Sequence, residues 1–185
     1  MKTRDSVYIA LFTAVTAVLG VFPGIPIPYL SVPITLQSFG VMLAGAVLGW
    51  KRGFISLLVF DLLVLVGAPI LAGGQGGVNM LIGSSGGYIM AWPFASLVIG
   101  LLVDRFRANT GLVFLYNIVG GILVCYAGGI LYYVYLTGTP LLAAIIGNLA
   151  FIPGDLIKAG VSAIIAVRLR KALPQLAAVK TKIAS

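Results

Sequence analysis

Eleven of the twelve Lys and Arg residues stand in short clusters, and long apolar stretches keep those clusters apart. Lys2 and Arg4 precede the first stretch, and Lys51 and Arg52 separate the second from the third. Arg105 and Arg107 separate the fourth from the fifth, and Arg168, Arg170, Lys171, Lys180 and Lys182 follow the last. The other three loops carry no charge. This alternation is the positive-inside pattern of a chain threaded back and forth through a bilayer. The chain is 61% apolar and 9% charged, against about 25% charged in an ordinary soluble domain. A bilayer core takes roughly 20 residues per helix, so 185 residues hold six spans with short loops. The expectation is an all-α polytopic membrane protein, one domain over 1–185, with both termini cytoplasmic. The net charge of +8 follows from loop charge of this kind, and a nucleic-acid partner is not expected.

The twelfth basic residue is Lys158, inside the last apolar stretch in Pro153-Gly154-Asp155-Leu156-Ile157-Lys158. Positions i and i+3 share a helix face, so Asp155 and Lys158 point the same way, into the protein. A charge at bilayer depth costs at least roughly 2.5–3.5 kcal/mol, so the pair needs a reason: mutual neutralisation, or a polar ligand. Lys158 lies ten residues, about 15 Å, from Arg168, hence near mid-membrane. Asp155 is about 5 Å further toward the uncharged loops. Pro153 cannot donate to the carbonyl of Leu149, which leaves an acceptor open beside the pair.

The spans are expected at about 6–22, 34–50, 53–66, 86–103, 111–136 and 140–169. The segment 1–24 has the outline of a signal peptide but is read as the first span, because its removal leaves an odd number. Ala10, Ala14 and Ala17 line one side of that span. Small residues at this spacing suit close helix approach, within the bundle or to another membrane subunit. Residues 23–33 hold four prolines in an apolar loop, which favours stiff extended backbone, as an interfacial connector or as a lid. Thr35, Gln37 and Ser38 open the second span with polar groups. Asp61 falls near mid-depth in the third, ten residues or about 15 Å from Lys51. Structural support and a functional acid are both open for it. Residues 67–88 are rich in glycine yet uncharged. Irregular backbone of that kind is tolerated at membrane depth only inside protein or along a cavity, and Gln75, Asn79, Ser84, Ser85 and Tyr88 are its polar side chains. Tyr126, Tyr132, Tyr133 and Tyr135 in the fifth span read as interface anchors.

The chain has one cysteine, Cys125, and no His or Glu. No internal disulfide is possible, Cys125 reads as a packing residue, and neither metal sites nor nucleophilic dyads are expected. An aspartyl pair of Asp61 and Asp155 is disfavoured, because Lys158 holds Asp155 ionised. There is no GxxxxGK[ST] loop for ATP. The chain is therefore not expected to be an enzyme or to carry a catalytic residue. Two readings remain: a binding site for a small solute with polar ends, and an ion-coupled secondary carrier, whose half-helix inverted repeats are not visible.

Four stretches taken together, Val32-Pro33-Ile34-Thr35-Leu36-Gln37-Ser38-Phe39-Gly40, Gly67-Ala68-Pro69 through Gly77, Gly86-Gly87-Tyr88 and Gly154-Asp155-Leu156-Ile157-Lys158, resemble the BioY family. These are the biotin-specific S components of energy-coupling factor transporters. The likeness runs over about 5–172, and Ser84-Ser85 departs from it where a Pro-Thr type pair is expected. The resemblance implies six helices in the bacterial plasma membrane and capture of biotin from outside. It implies uptake with a transmembrane coupling subunit and two ATPase subunits, and tipping of the loaded S component in the membrane. Ala10 and Ala14 match the family's coupling-subunit contact. Biotin is a ligand here and no cofactor is implied. The expected site is Asn79, Asp155, Lys158, Gly73, Tyr88 and Gln37. In it Asp155 accepts a ureido N–H, Lys158 donates to the ureido oxygen or orders Asp155, and Asn79 completes the head-group site. In the rival pose the biotin carboxylate meets Lys158. The 23–33 and 67–82 loops would close over the ligand. An S component for another vitamin, or a structural membrane subunit, are the remaining alternatives.

Overall fold

The computed structural model describes residues 3–27 and 30–176. They form a bundle of helices: α1 (Thr3–Leu19), α2 (Gln37–Leu48), α3 (Trp50–Leu65), α4 (Val78–Ile82), α5 (Gly86–Arg105), α6 (Thr110–Asn117), α7 (Cys125–Thr137), α8 (Leu141–Asn148) and α9 (Ile152–Ala172). A π-helical segment, Ile118–Val124, joins α6 to α7, and a 3₁₀ turn, Leu149–Phe151, joins α8 to α9. Three continuous helical stretches are long and apolar enough to cross a membrane: Gly86–Arg105, Thr110–Thr137 and Leu141–Ala172. Together with the large apolar side chains on the bundle surface, such as Leu62, Phe94 and Leu131, they make this a membrane protein.

The centre of the bundle is α2. Every residue from Gly40 to Leu48 is buried, because the helix is uncharged and its small residues admit neighbouring backbones on several sides. A β-carbon on Gly45 would stand 2.5 Å from the Ser96 carbonyl oxygen of α5, and one on Gly40 would stand 2.8 Å from Thr16 Oγ1 of α1. Around it α5 packs against α2, α3 and α7, while α9 packs against α2 and α6.

α2 and α3 meet at a single residue, Gly49, whose φ of +80° is the left-handed backbone that glycine tolerates. The turn is held by side chains from other helices. Asp104 accepts from the Trp50 N–H at 3.0 Å, and Arg170 reaches Asp104 at 3.1 Å and the Val47 carbonyl at 3.1 Å. Arg170 is 1% exposed. The sequence places it with the charges that come after the last span, whereas the fold draws it inside to close one end of the bundle.

At the opposite end the connections are long. The proline-rich segment is extended as expected, but it also pairs with itself, a departure from an all-α fold. β1 (Ile25–Ile27) and β2 (Leu30–Ile34) run antiparallel with Ile25 opposite Ile34 and Ile27 opposite Leu30. The lid reading of 23–33 is described only in part, because Pro28 and Tyr29 lie outside the described residues. A second correction concerns Pro153. The Leu149 carbonyl that it cannot serve accepts from the Ile152 N–H. The 3₁₀ turn tightens the backbone and closes that acceptor locally.

Candidate functional site

The long-loop end encloses a cavity of about 330 Å³, a size that suits a small-molecule pocket. Its walls come from β2, the start of α2, the 71–85 segment, the start of α5, the π-helical segment and the start of α9. One wall is aromatic, with Tyr88, Trp92, Tyr126 and Phe151. The Phe151 ring lies 6.2 Å from that of Tyr126 and 6.4 Å from that of Tyr88.

The polar wall is built on Asp155 and Lys158. Asp155 is 4% exposed, and its Oδ1 lies 2.9 Å from Lys158 Nζ. Lys158 also donates to the Thr35 carbonyl at 2.7 Å and to Ser38 Oγ at 3.0 Å. An ammonium has three N–H donors, so all three are taken. The Ser38 hydroxyl donates to Asp155 Oδ1 at 3.1 Å, and Tyr126 donates to Asp155 Oδ2 at 2.8 Å. The carboxylate thus receives three donors from α2, α7 and α9, which fixes its orientation and leaves acceptor capacity on the cavity side.

Tyr126 is a correction. Its sequence reading as an interface anchor fails because it lies eleven residues, about 16 Å, inside the Thr137 end of α7. That depth is the signal that separates it from Tyr135, which is 85% exposed. The π-helical segment ends two residues before Tyr126, and the extra residue in such a turn rotates the facing of the helix beyond it. Ser38 was visible as a polar residue at the start of the second span. Its partnership with Asp155, 117 positions away, had no local signature.

The other expected residues divide. Asn79 lines the cavity from α4 and is exposed. Tyr88 lines it with its ring while its hydroxyl donates to Asn148 at 2.8 Å. Gln37 also lines it, but its amide is spent on the scaffold. Nε2 donates to the carbonyls of Ile70 at 3.0 Å and Thr16 at 3.3 Å, and Oε1 accepts from the Ala72 N–H at 3.1 Å. Gln37 therefore pins the start of the glycine-rich loop to α1 and α2. Gly73 is not in the cavity wall. It sits in the turn closed by Leu71 N–H on the Gln75 carbonyl at 2.9 Å, where its φ of +76° calls for glycine. Ser84 donates to the Ser31 carbonyl at 3.1 Å, so the two loops touch over the cavity.

Asp61 is not part of this wall. It lines a separate groove between α3, α4 and α5, so the structure does not bring Asp61 and Asp155 together. Ala10 and Ala14 are exposed on α1, whose opposite face buries Ile9, Phe12, Thr13 and Thr16. Packing inside this bundle therefore does not explain them. Cys125 is buried and lines the cavity.

The BioY family model matches residues 1–175. The biotin transporter BioY of Rhizobium etli is 44% identical over 172 residues, covering 89% of this chain and 92% of that protein. The probable biotin transporter BioY of Bacillus subtilis is 46% identical over 174 residues, 94% of each. Among solved structures, the S-component for biotin from an ECF-type ABC transporter superposes with a TM-score of 0.88 at 38% identity, covering 92% of this chain and 95% of that one.

Proposed function

The chain belongs to the BioY family, and we propose that it captures biotin as the substrate-binding S component of an energy-coupling factor importer. The observation that carries the reading is the Asp155–Lys158 pair, tied to Ser38 and Tyr126 inside an aromatic cavity. Biotin has a ureido ring with two N–H donors and one strong acceptor, an apolar thioether ring and a carboxylate tail. Asp155 presents a fixed carboxylate to a ureido N–H, the aromatic wall covers the ring system, and Asn79 supplies a donor and an acceptor. Lys158 takes the ordering role, since its donors are engaged by Thr35, Ser38 and Asp155. Its charge is already balanced by Asp155. That disfavours the pose with the biotin carboxylate on Lys158 and sends the tail toward the loops.

In this reading the chain makes six passes of a bacterial plasma membrane. The basic clusters and both termini lie inside, and the cavity faces out, in keeping with the loop charges. The chain performs no chemistry and uses biotin as cargo, not as cofactor. A transmembrane coupling subunit and two ATPase subunits supply the energy. The lack of a phosphate-binding loop and the exposed Ala10 and Ala14 agree with that division of labour.

The test is calorimetric titration of the full chain, stripped of bound biotin, with biotin and with thiamine. Tight binding of biotin alone, weakened in Asp155→Asn and Asn79→Ala, is the expected result. Unchanged affinity in a folded Asp155→Asn variant would remove the assigned pose. Absence of biotin heat from folded, empty protein would remove biotin as the ligand.

A further inference from the structure

The chain has four acidic residues, and three of them are in ion pairs: Asp5 with Arg52, Asp104 with Arg170 and Asp155 with Lys158. Asp61 is in none among the described residues. Its Oδ1 is buried with no hydrogen-bond partner. It lines a groove of about 270 Å³ on the flank of α3 and α5, away from the biotin cavity. The other lining side chains are apolar, among them Leu58, Leu62, Leu65, Met90 and Phe94. Leu62 and Phe94 are 51% and 56% exposed, so the groove opens on the face that a bilayer covers.

No cation reaches this acid from any helix packed around it. On α3 itself, the nearer cation, Arg52, is nine residues or about 14 Å away along the axis and is paired with Asp5. α2 and α4 carry no charged residue. On α5, Asp104 and Arg105 are at the far end, about 16 Å along the helix from Pro93 at the groove. On α1, Arg4 and Asp5 lie at the level of Arg52, again a membrane half-thickness away. A carboxylate with no counter-charge and one unpaired buried oxygen is the state that an apolar medium penalises most, and such a group keeps its proton instead.

We propose that Asp61 is an uncharged carboxylic acid accessible from the lipid, and that its groove is a modification site for lipid-soluble carbodiimides. The chemistry needs the proton. The acid adds across one C=N bond, with its proton going to nitrogen and its oxygen to the central carbon. The acyl group of the resulting O-acylisourea then migrates to nitrogen, breaking the acyl C–O bond and forming a C–N bond, to give a stable N-acylurea. Nothing is oxidised or reduced, and an apolar groove keeps out the water that would otherwise hydrolyse the intermediate. Asp155 is the internal control. Held by Lys158 and two hydroxyls, it is ionised and lacks the proton that starts the reaction.

The experiment treats the full chain in liposomes with dicyclohexylcarbodiimide or with a water-soluble carbodiimide, then measures intact mass and maps peptides. Folding is verified by monodisperse elution and a helical far-UV spectrum. The expected result is one adduct on the peptide holding Asp61 with the lipid-soluble reagent. It is lost in Asp61→Asn, kept in Asp61→Glu, unaffected by biotin, and falling as pH is raised, because the ionised form does not react. Absence of an adduct on folded protein overturns the proposal. So does equal labelling by the water-soluble reagent, or labelling that moves to Asp155. Should Asp61→Asn fail to fold, peptide mapping of the wild-type adduct decides the site by itself.

Discussion

α9 carries two buried ion pairs, one near each end, and they do opposite things. Asp155–Lys158 lies at the head of the helix with part of the carboxylate open to a cavity. Asp104–Arg170 lies at its foot, where Arg170 also holds the Val47 carbonyl and Asp104 also holds the Trp50 N–H. In the second pair the polar groups are spent on backbone, and the result is a clamp across the ends of α2, α3, α5 and α9. In the first, apart from the Lys158 bond to the Thr35 carbonyl, they are spent on side chains that line a void. A buried pair by itself is weak evidence for stability. The distinction lies in where the remaining hydrogen-bonding capacity points.

The largest effect is expected from Arg170→Ala. Removing one partner of a buried pair costs about 3–5 kcal/mol. A clear drop in melting temperature in detergent is expected, with biotin affinity unchanged in the fraction that remains folded. Asp155→Ala also breaks a buried pair and should lower the melting temperature too, but unlike Arg170→Ala it takes biotin binding with it. Binding falls by about 2–5 kcal/mol, because a ligand contact is lost and Lys158 is left uncompensated, and titration calorimetry reads it directly. A Tyr126→Phe substitution removes one hydrogen bond to a charged acceptor that forms without ligand, so stability should fall by about 1.5–3 kcal/mol, with a smaller loss of biotin affinity. The smallest effect is expected from the pair Asp104→Asn with Arg170→Met. Replacing both charges together is commonly near neutral, so the melting temperature should recover most of what Arg170→Ala loses. If it does not, the clamp depends on its charge and not only on filling space.

Much of the site was legible because it is local. Asp155 and Lys158 are three positions apart on one helix, and their depth comes from counting residues. The glycine-rich, uncharged stretch at 67–88 announced a cavity lining, and Asn79 and Tyr88 do line it. Gln37 and Gly73 show the limit. Their positions near the loop were readable, but whether a side chain faces the void or pins the scaffold depends on segments far away in sequence. Gln37 turns its amide to Ile70, Ala72 and Thr16, and Gly73 contributes backbone conformation instead of contact.

By itself the sequence determined the number and placement of the apolar stretches, the alternation of their flanking charge, and the shared face of Asp155 and Lys158. Each of these is a property of neighbouring residues, set by hydropathy and helix period. Only the tertiary structure decided that Arg170 turns inward, that the Tyr126 hydroxyl meets Asp155, and that Asp61 is left with an unpaired buried oxygen in a lipid-facing groove. Those outcomes depend on which helix faces meet. That is settled by the close packing of small residues such as Gly40 and Gly45 across the whole bundle, where a single β-carbon would force helices apart.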